Sequence, residues 1–194
     1  MPITSLVCPT NCIATLPDVA FDDCAPKITL SQGNYLYIAK PVAAVFADAS
    51  LPGEWADRLS QDSTIPTGSS ATVDDLIRTL TIIGDIPAAS ITEKDISGSR
   101  KYVSKTERVI NVEIDDATAK NYEFVRTTEC FAFKCKAWYE TEGANLFGGN
   151  SGILGTLYLT PVLGRGVDEI EKYVGTFKWD SRTSPDRCVS PIAH

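Results

Sequence analysis

Six cysteines, one histidine and three pairs of adjacent aspartates are the residues of this 194-residue chain with the most chemistry to offer. The cysteines stand at Cys8, Cys12, Cys24, Cys130, Cys135 and Cys188. An even number allows disulfides or a metal site, but neither Cys8/Cys12 nor Cys130/Cys135 has the close C-x-x-C spacing of common zinc modules. Reduced, buried thiols are the reading that asks least, with a nearly all-thiolate metal site and disulfides as the alternatives. A serine or cysteine nucleophile needs a base, and the sole histidine, His194, is the last residue and is expected to be mobile. That expectation removes the commonest hydrolytic triads.

Other short patterns resolve in the same direction. Gly148-Gly149-Asn150-Ser151-Gly152 surrounds a serine with glycines, but a nucleophile elbow would place its second glycine at position 153, which is Ile153. The segment reads as a hairpin turn. Ser97-Gly98-Ser99-Arg100-Lys101 lacks the glycine spacing of a phosphate cradle and reads as a basic turn leading into a strand. Asp22-Asp23, Asp74-Asp75 and Asp115-Asp116 lack the alternating pattern of a calcium loop, so capping and solubility account for them. No residue is assigned a catalytic, cofactor-binding or metal-binding role, and the chain is expected to be neither an enzyme nor a cofactor carrier.

The composition sets the surrounding conditions. Asp and Glu number 25 against 18 Lys and Arg, a net charge of −7. This argues against general affinity for nucleic acid, which requires a basic footprint, and is compatible with a passage through which DNA slides without sticking. A hydrophobic share of 43% and a charged share of 22% are ordinary for a folded globular chain. No apolar run approaches the roughly 20 residues of a membrane-spanning helix, and Met1–Leu16 lacks the charged start of a signal peptide. A soluble protein made in a reducing cytoplasm is expected.

The elements that would position these residues are mostly strands. Residues 1–26 read as an N-terminal arm and 180–194 as a C-terminal arm, flanking a core at 27–179 within one domain of 1–194. Lys27–Leu30 and Asn34–Ala39 form two β-prone runs around the turn signal Gln32-Gly33-Asn34, suggesting a strand pair. Residues 48–71 read as a long loop with one helical turn near Trp55–Leu59. Asp74–Ile86 is ambiguous between helix and strand, and its β-branched alternation favours a strand stopping at Gly84. Tyr102–Ile114 alternates most clearly, with Ile110, Val112 and Ile114 on one side. Asp115-Asp116 would cap a helix over Ala117–Glu129 with Tyr122 and Val125 inward. Strands over Phe131–Thr141, Ile153–Leu163 and Tyr173–Trp179 complete the set. Trp138 falls opposite Phe133 and Tyr139, so either its sheet is covered on both faces or Trp138 enters a subunit interface. The fold class expected is mainly β: a β-sandwich or open barrel with one flanking α-helix and extended terminal arms.

Several stretches resemble a known family. They are Ile83-Gly84-Asp85-Ile86-Pro87, Ser97-Gly98-Ser99-Arg100-Lys101, Val112-Glu113-Ile114-Asp115-Asp116-Ala117-Thr118 and Asn121-Tyr122-Glu123-Phe124-Val125-Arg126. Trp138-Tyr139-Glu140-Thr141, Leu146-Phe147-Gly148-Gly149 and Ser190-Pro191-Ile192 extend the likeness over roughly residues 76–192. The chain resembles virion structural proteins of tailed bacteriophages, in particular tail-tube-like subunits from phages of Bacteroidetes hosts. The resemblance implies a structural subunit of the virion, assembled in the bacterial host cytoplasm, whose copies close hexameric rings that stack into a tube conducting DNA. Its partners would be itself and other virion proteins, with DNA passing without specific binding and with no membrane and no small-molecule substrate. On this reading the 48–71 loop and both termini make ring-to-ring contacts, and acidic inner strands repel DNA phosphates. The cysteine-bearing N-terminal segment departs from a plain tube subunit. The rival readings are another virion part, such as a head decoration, neck or tail-terminator protein, and a small cysteine- or metal-stabilised binding module.

Overall fold

The computed structural model describes residues 30–194 apart from 63, 99, 131–132 and 164–169, and the backbone alone of Cys130. The arm at 1–26 and the strand expected at Lys27–Leu30 therefore lie outside the described residues, except Leu30, which is not in a strand. The strands are β1 (Gly33–Ala39), β2 (Ile77–Asp85), β3 (Ser90–Ile96), β4 (Arg100–Ile114), β5 (Phe133–Thr141), β6 (Asn145–Phe147), β7 (Ile153–Val162), β8 (Lys172–Asp180) and β9 (Arg187–Val189). Two α-helices accompany them, α1 (Pro52–Ala56) and α2 (Ala119–Cys130), with a 3-10 turn at Val73–Asp75.

The strands pair in the order β1-β2-β4-β8-β7-β5, and β5 pairs back onto β1. Six antiparallel strands thus close a barrel: the mainly β class expected from the sequence holds, and where a β-sandwich or open barrel was expected the sheet closes on itself. Closure occupies both edges of β1, where Leu36 lies opposite Leu80 of β2 and Tyr139 of β5. Alternation fills the barrel: Leu36, Ile38, Leu80, Ile82, Ile110, Val112, Ile114, Cys135, Ala137, Leu157, Leu159, Tyr173 and Phe177 form its buried core.

Helix α2 joins the end of β4 to β5 and packs against β7 and β5. The helix begins at Ala119, two residues later than the sequence suggests, and Asp116 accepts the Thr118 N–H at 3.2 Å in a turn ahead of it, so the expected capping of the first helical N–H groups by Asp115-Asp116 is not what the structure shows. Val125 is buried and Phe124 packs on the barrel core, while Tyr122 is 43% exposed. The inward face is therefore Phe124, Val125 and Thr128, with Tyr122 turned outward, contrary to the sequence expectation. Thr128 fixes the docking by accepting the Leu159 N–H through its hydroxyl at 3.2 Å.

A second buried cluster lies on the outside of the β1–β5 wall. It gathers Tyr37, Ala39, Ala43, Phe46, Ala49, Trp55, Ile77, Trp138 and Leu146. Residues 48–71 are not a bare loop: α1 carries Trp55 into this cluster, and its indole N–H donates to the Ala49 carbonyl at 2.9 Å. Trp55 and Phe46 both pack on Trp138, with ring centroids 5.6 and 5.3 Å away. The sheet is covered on both faces at Trp138, which explains the unbroken burial of residues 137–141 in β5.

The glycine-rich stretch 148–152 is not a hairpin turn. Phe147 pairs with Tyr139 and Ile153 pairs with Ala137, so β6 and β7 follow one another along the same edge of β5. Five residues stand opposite Trp138 and arch around its indole, whose N–H donates to the Gly149 carbonyl at 2.8 Å. A Cβ at Gly152, where φ is +70°, would lie 2.6 Å from that ring.

Candidate functional site

The residues with chemical potential are distributed as structural parts. Cys135 is fully buried in the barrel core, and burial pushes its thiol up to about 12, far from the thiolate that metal binding needs. Cys188 is half-buried on β9, its thiol also shifted upward by burial, and both cysteines are free. Cys8, Cys12 and Cys24 lie outside the described residues, as does the pair Asp22-Asp23. Among the described residues no group of three or more His, Cys, Asp or Glu side chains is arranged to hold a metal ion.

Asp75 closes a capping box with Thr72 and accepts the Ala44 N–H at 2.6 Å. That backbone hydrogen bond, followed by the Thr72 hydroxyl, holds its carboxyl below the usual carboxylate range. Asp74 pairs with Lys40 at 2.7 Å on the surface. The structural reading of this aspartate pair is the one its contacts support.

His194 is seated against the outer face of β1 and β5. Its ring stacks on Tyr35 at 3.9 Å, and its Nε2 lies 3.1 Å from both the Tyr37 hydroxyl and the Glu140 carboxylate. The Tyr37 hydroxyl donates to Glu140 at 2.7 Å, and burial, then the Glu140 contact, drives its pKa far upward. The phenol therefore stays a donor. The C-terminal stretch expected as an irregular arm contains β9, paired with β6, and ends in this cluster. Its partners are a buried phenol and a buried carboxylate, an arrangement that fastens the chain end. Nothing in the sequence marks Tyr37, Glu140 and His194 as neighbours, since they are far apart along the chain.

The β3–β4 hairpin extends beyond the barrel, tied to the chain after β8 by Arg182, which donates to the Tyr102 hydroxyl at 3.1 Å, and by the Ser181 N–H, which donates to the Thr106 carbonyl at 3.1 Å. Only the second part of β4, Glu107–Ile114, pairs with β8, while its first part pairs with β3 alone. Gly98, with φ +79°, makes the turn. Every residue of β3 is exposed. The hairpin is thus a two-stranded ribbon running past the barrel, and two strands alone in water are marginal. The register places Lys94 opposite Tyr102 and Ile96 opposite Arg100, so these four share one face; Glu93 and Asp95 share the other with Val103 and Lys101. The register shift at Thr92/Glu93 gives β4 the extra residue, so Ile91 stays on the side of Glu93 and Asp95. Ile91 is 59% exposed.

At the opposite end of the barrel lies an apolar groove of about 290 Å³. β4 runs from the ribbon to Ile114 and on into α2, whose Phe124 lines the groove with Phe133, Leu76 and Val73. Lys40 and Arg78 complete its wall. A larger cleft of about 750 Å³, between Gln32, Ile83, Asp85, Asn111, Glu113 and Phe147, lies toward the ribbon end and is polar on one side.

These features define a class: a mainly β protein on a closed six-stranded barrel, closed over by one helix and carrying a projecting ribbon. Comparison with known proteins finds no matching family model, no match among curated proteins and no match among solved structures. Among the described residues no helix is long and apolar enough to cross a membrane.

Proposed function

We propose that this chain is a structural subunit of a bacteriophage particle that assembles with copies of itself into rings stacked as a tail tube conducting DNA. The observation that carries the reading is the β3–β4 ribbon, a hairpin with one strand wholly exposed that stands off from a barrel already complete without it. A ribbon of this kind gains its packing from a partner, and a self-associating subunit supplies one in every copy. The resemblance of residues 76–192 to tail-tube-like proteins supports the same reading. The net charge of −7 supports a channel that phosphates traverse without adhering.

Function on this reading is geometric. The closed barrel is a rigid block, and the exposed wall of β4, β8 and β7, with Tyr158 and Leu154 on its surface, is available for lateral contact. Heterologous lateral contacts close a ring when the rotation between neighbours divides a full turn. No catalytic step is assigned. The test is negative-stain electron microscopy of the purified protein across a concentration series with light-scattering mass measured alongside. Rings or tubes are expected, and a single-chain mass at every concentration would overturn the proposal.

A further inference from the structure

Pairing between β4 and β8 ends at Glu107 and Asp180, yet the chain that follows β8 keeps hold of the ribbon. The Ser181 N–H donates to the Thr106 carbonyl at 3.1 Å, one step beyond the last paired residues. Arg182, the next residue, reaches along the ribbon: its guanidinium donates to the Tyr102 hydroxyl at 3.1 Å and lies 5.7 Å from the centre of that ring. Tyr102 stands beyond Thr106 on the same strand, roughly 13 Å away at a strand's rise, so this contact acts with a lever arm that a bond at the root lacks. The segment from which Arg182 projects is itself fastened at both ends. Arg108 Nε donates to the Ser181 carbonyl at 3.1 Å, the Ser181 hydroxyl donates to the Thr183 carbonyl at 2.7 Å, and the Asp186 carbonyl accepts the Gly148 N–H at 3.0 Å just before β9. Pro185 removes a further backbone rotation between these anchors.

We infer that residues 181–186 form a strap that fixes the direction of the ribbon, with Arg182 as its latch on Tyr102 and a pivot between Thr106 and Glu107, where β4 passes from the barrel into the ribbon. Without the strap the ribbon turns about its root, because beyond Thr106 its two strands pair only with each other among the described residues. The latch sits on the face that Tyr102 shares with Lys94, Ile96 and Arg100, so the face with Ile91, Glu93 and Asp95 stays clear of it. Arg182 and Tyr102 are both exposed, so the contact opens without disturbing the barrel core. Lys105, paired with Asp180 at 3.5 Å, adds a second tie at the root, and exposed pairs of this kind contribute little. A ribbon held in one direction meets a neighbouring copy already ordered, which lowers the cost of association. That last consequence rests on the self-assembly reading, whereas the latch does not.

Residual dipolar couplings of the backbone amides, measured by nuclear magnetic resonance on the full chain below the concentration at which copies associate, read the ribbon's direction against the barrel's. In the unmodified protein the amides of β3 and of residues 100–105 are expected to share one alignment with those of β1, β5 and β7. In Arg182→Ala the ribbon couplings are expected to fall toward zero while those of the barrel keep their values. Tyr102→Phe keeps the ring and loses the hydroxyl, and is expected to lie between the two. Ribbon couplings already averaged in the unmodified protein, or unchanged in Arg182→Ala, overturn the inference, as does an equal loss throughout the barrel. Assembly is read separately by sedimentation velocity, where Arg182→Ala is expected to associate only at higher concentration than the unmodified protein. An unmodified protein that stays a single chain at every concentration overturns the self-assembly reading and leaves the latch to be decided by the couplings.

Discussion

At the scale of single residues, the glycines separate backbone necessity from mere tolerance. A Cβ on Gly175 in β8 would lie 1.8 Å from the Tyr158 carbonyl oxygen of β7, a backbone atom that cannot rotate away. Gly175→Ala is expected to cost about 3 kcal/mol or more, read from the urea unfolding midpoint. A Cβ on Gly53, within α1, would meet nothing within 4 Å, so Gly53→Ala is expected to be neutral or stabilising by about 0.5–1 kcal/mol in the same measurement. Equal destabilisation by both would contradict this account of the β7–β8 approach.

Asp75 gives a residue-scale prediction with a sign. Its folded carboxyl lies below the ordinary carboxylate range because the Ala44 N–H and the Thr72 hydroxyl stabilise the charged form. Its contribution is therefore present above the unfolded value of about 3.9 and is lost as pH falls through the depressed folded value. Asp75→Ala is expected to cost about 1 kcal/mol at pH 7. The gap from the unmodified protein is expected to narrow as the pH drops below the ordinary carboxylate range. A gap that widens on acidification would show that the carboxylate is not what Asp75 contributes.

At the scale of elements, α1 and the segment around it form a separate layer on the barrel. Trp55 is 1% exposed and packs on Phe46, Tyr37 and Trp138. Trp55→Ala is expected to cost about 3–5 kcal/mol through lost burial and the cavity left behind. Tryptophan fluorescence of Trp138 should shift to the red as water reaches it, while the far-ultraviolet signal of the strands persists. The longer barrel strands are legible in the sequence: β1, β2, β4, β5, β7 and β8 fall within a few residues of where β-branched and aromatic content and alternation put them. β3 is not, because Ser-Ile-Thr-Glu-Lys-Asp-Ile buries no face and so has no hydrophobic period to read. β6 and β9 are three residues each, too short to show one. The arch at 148–152 reads as a hairpin in the sequence since glycines signal a turn without telling which strands it joins. Closure of the barrel through β1–β5 depends on partners about 100 residues apart, which local pattern cannot supply. Of the ribbon on which the proposed function rests, the turn at Gly98 and the strand after it are legible in the sequence, whereas its β3 half is not.

At the scale of the whole molecule, the chain divides into a closed barrel and a ribbon that pairs outside it, and the proposed assembly requires that the barrel fold without the ribbon and that the ribbon pack on another copy. The most direct test replaces residues 90–106 with a short turn joining β2 to the barrel part of β4 and measures sedimentation velocity beside thermal unfolding. The expected result is a folded protein that melts within a few degrees of the unmodified chain and does not form stacks at any concentration. A variant that fails to fold would show the ribbon to be part of the core, and one that stacks like the unmodified chain would show that assembly does not use it; either result contradicts the central claim.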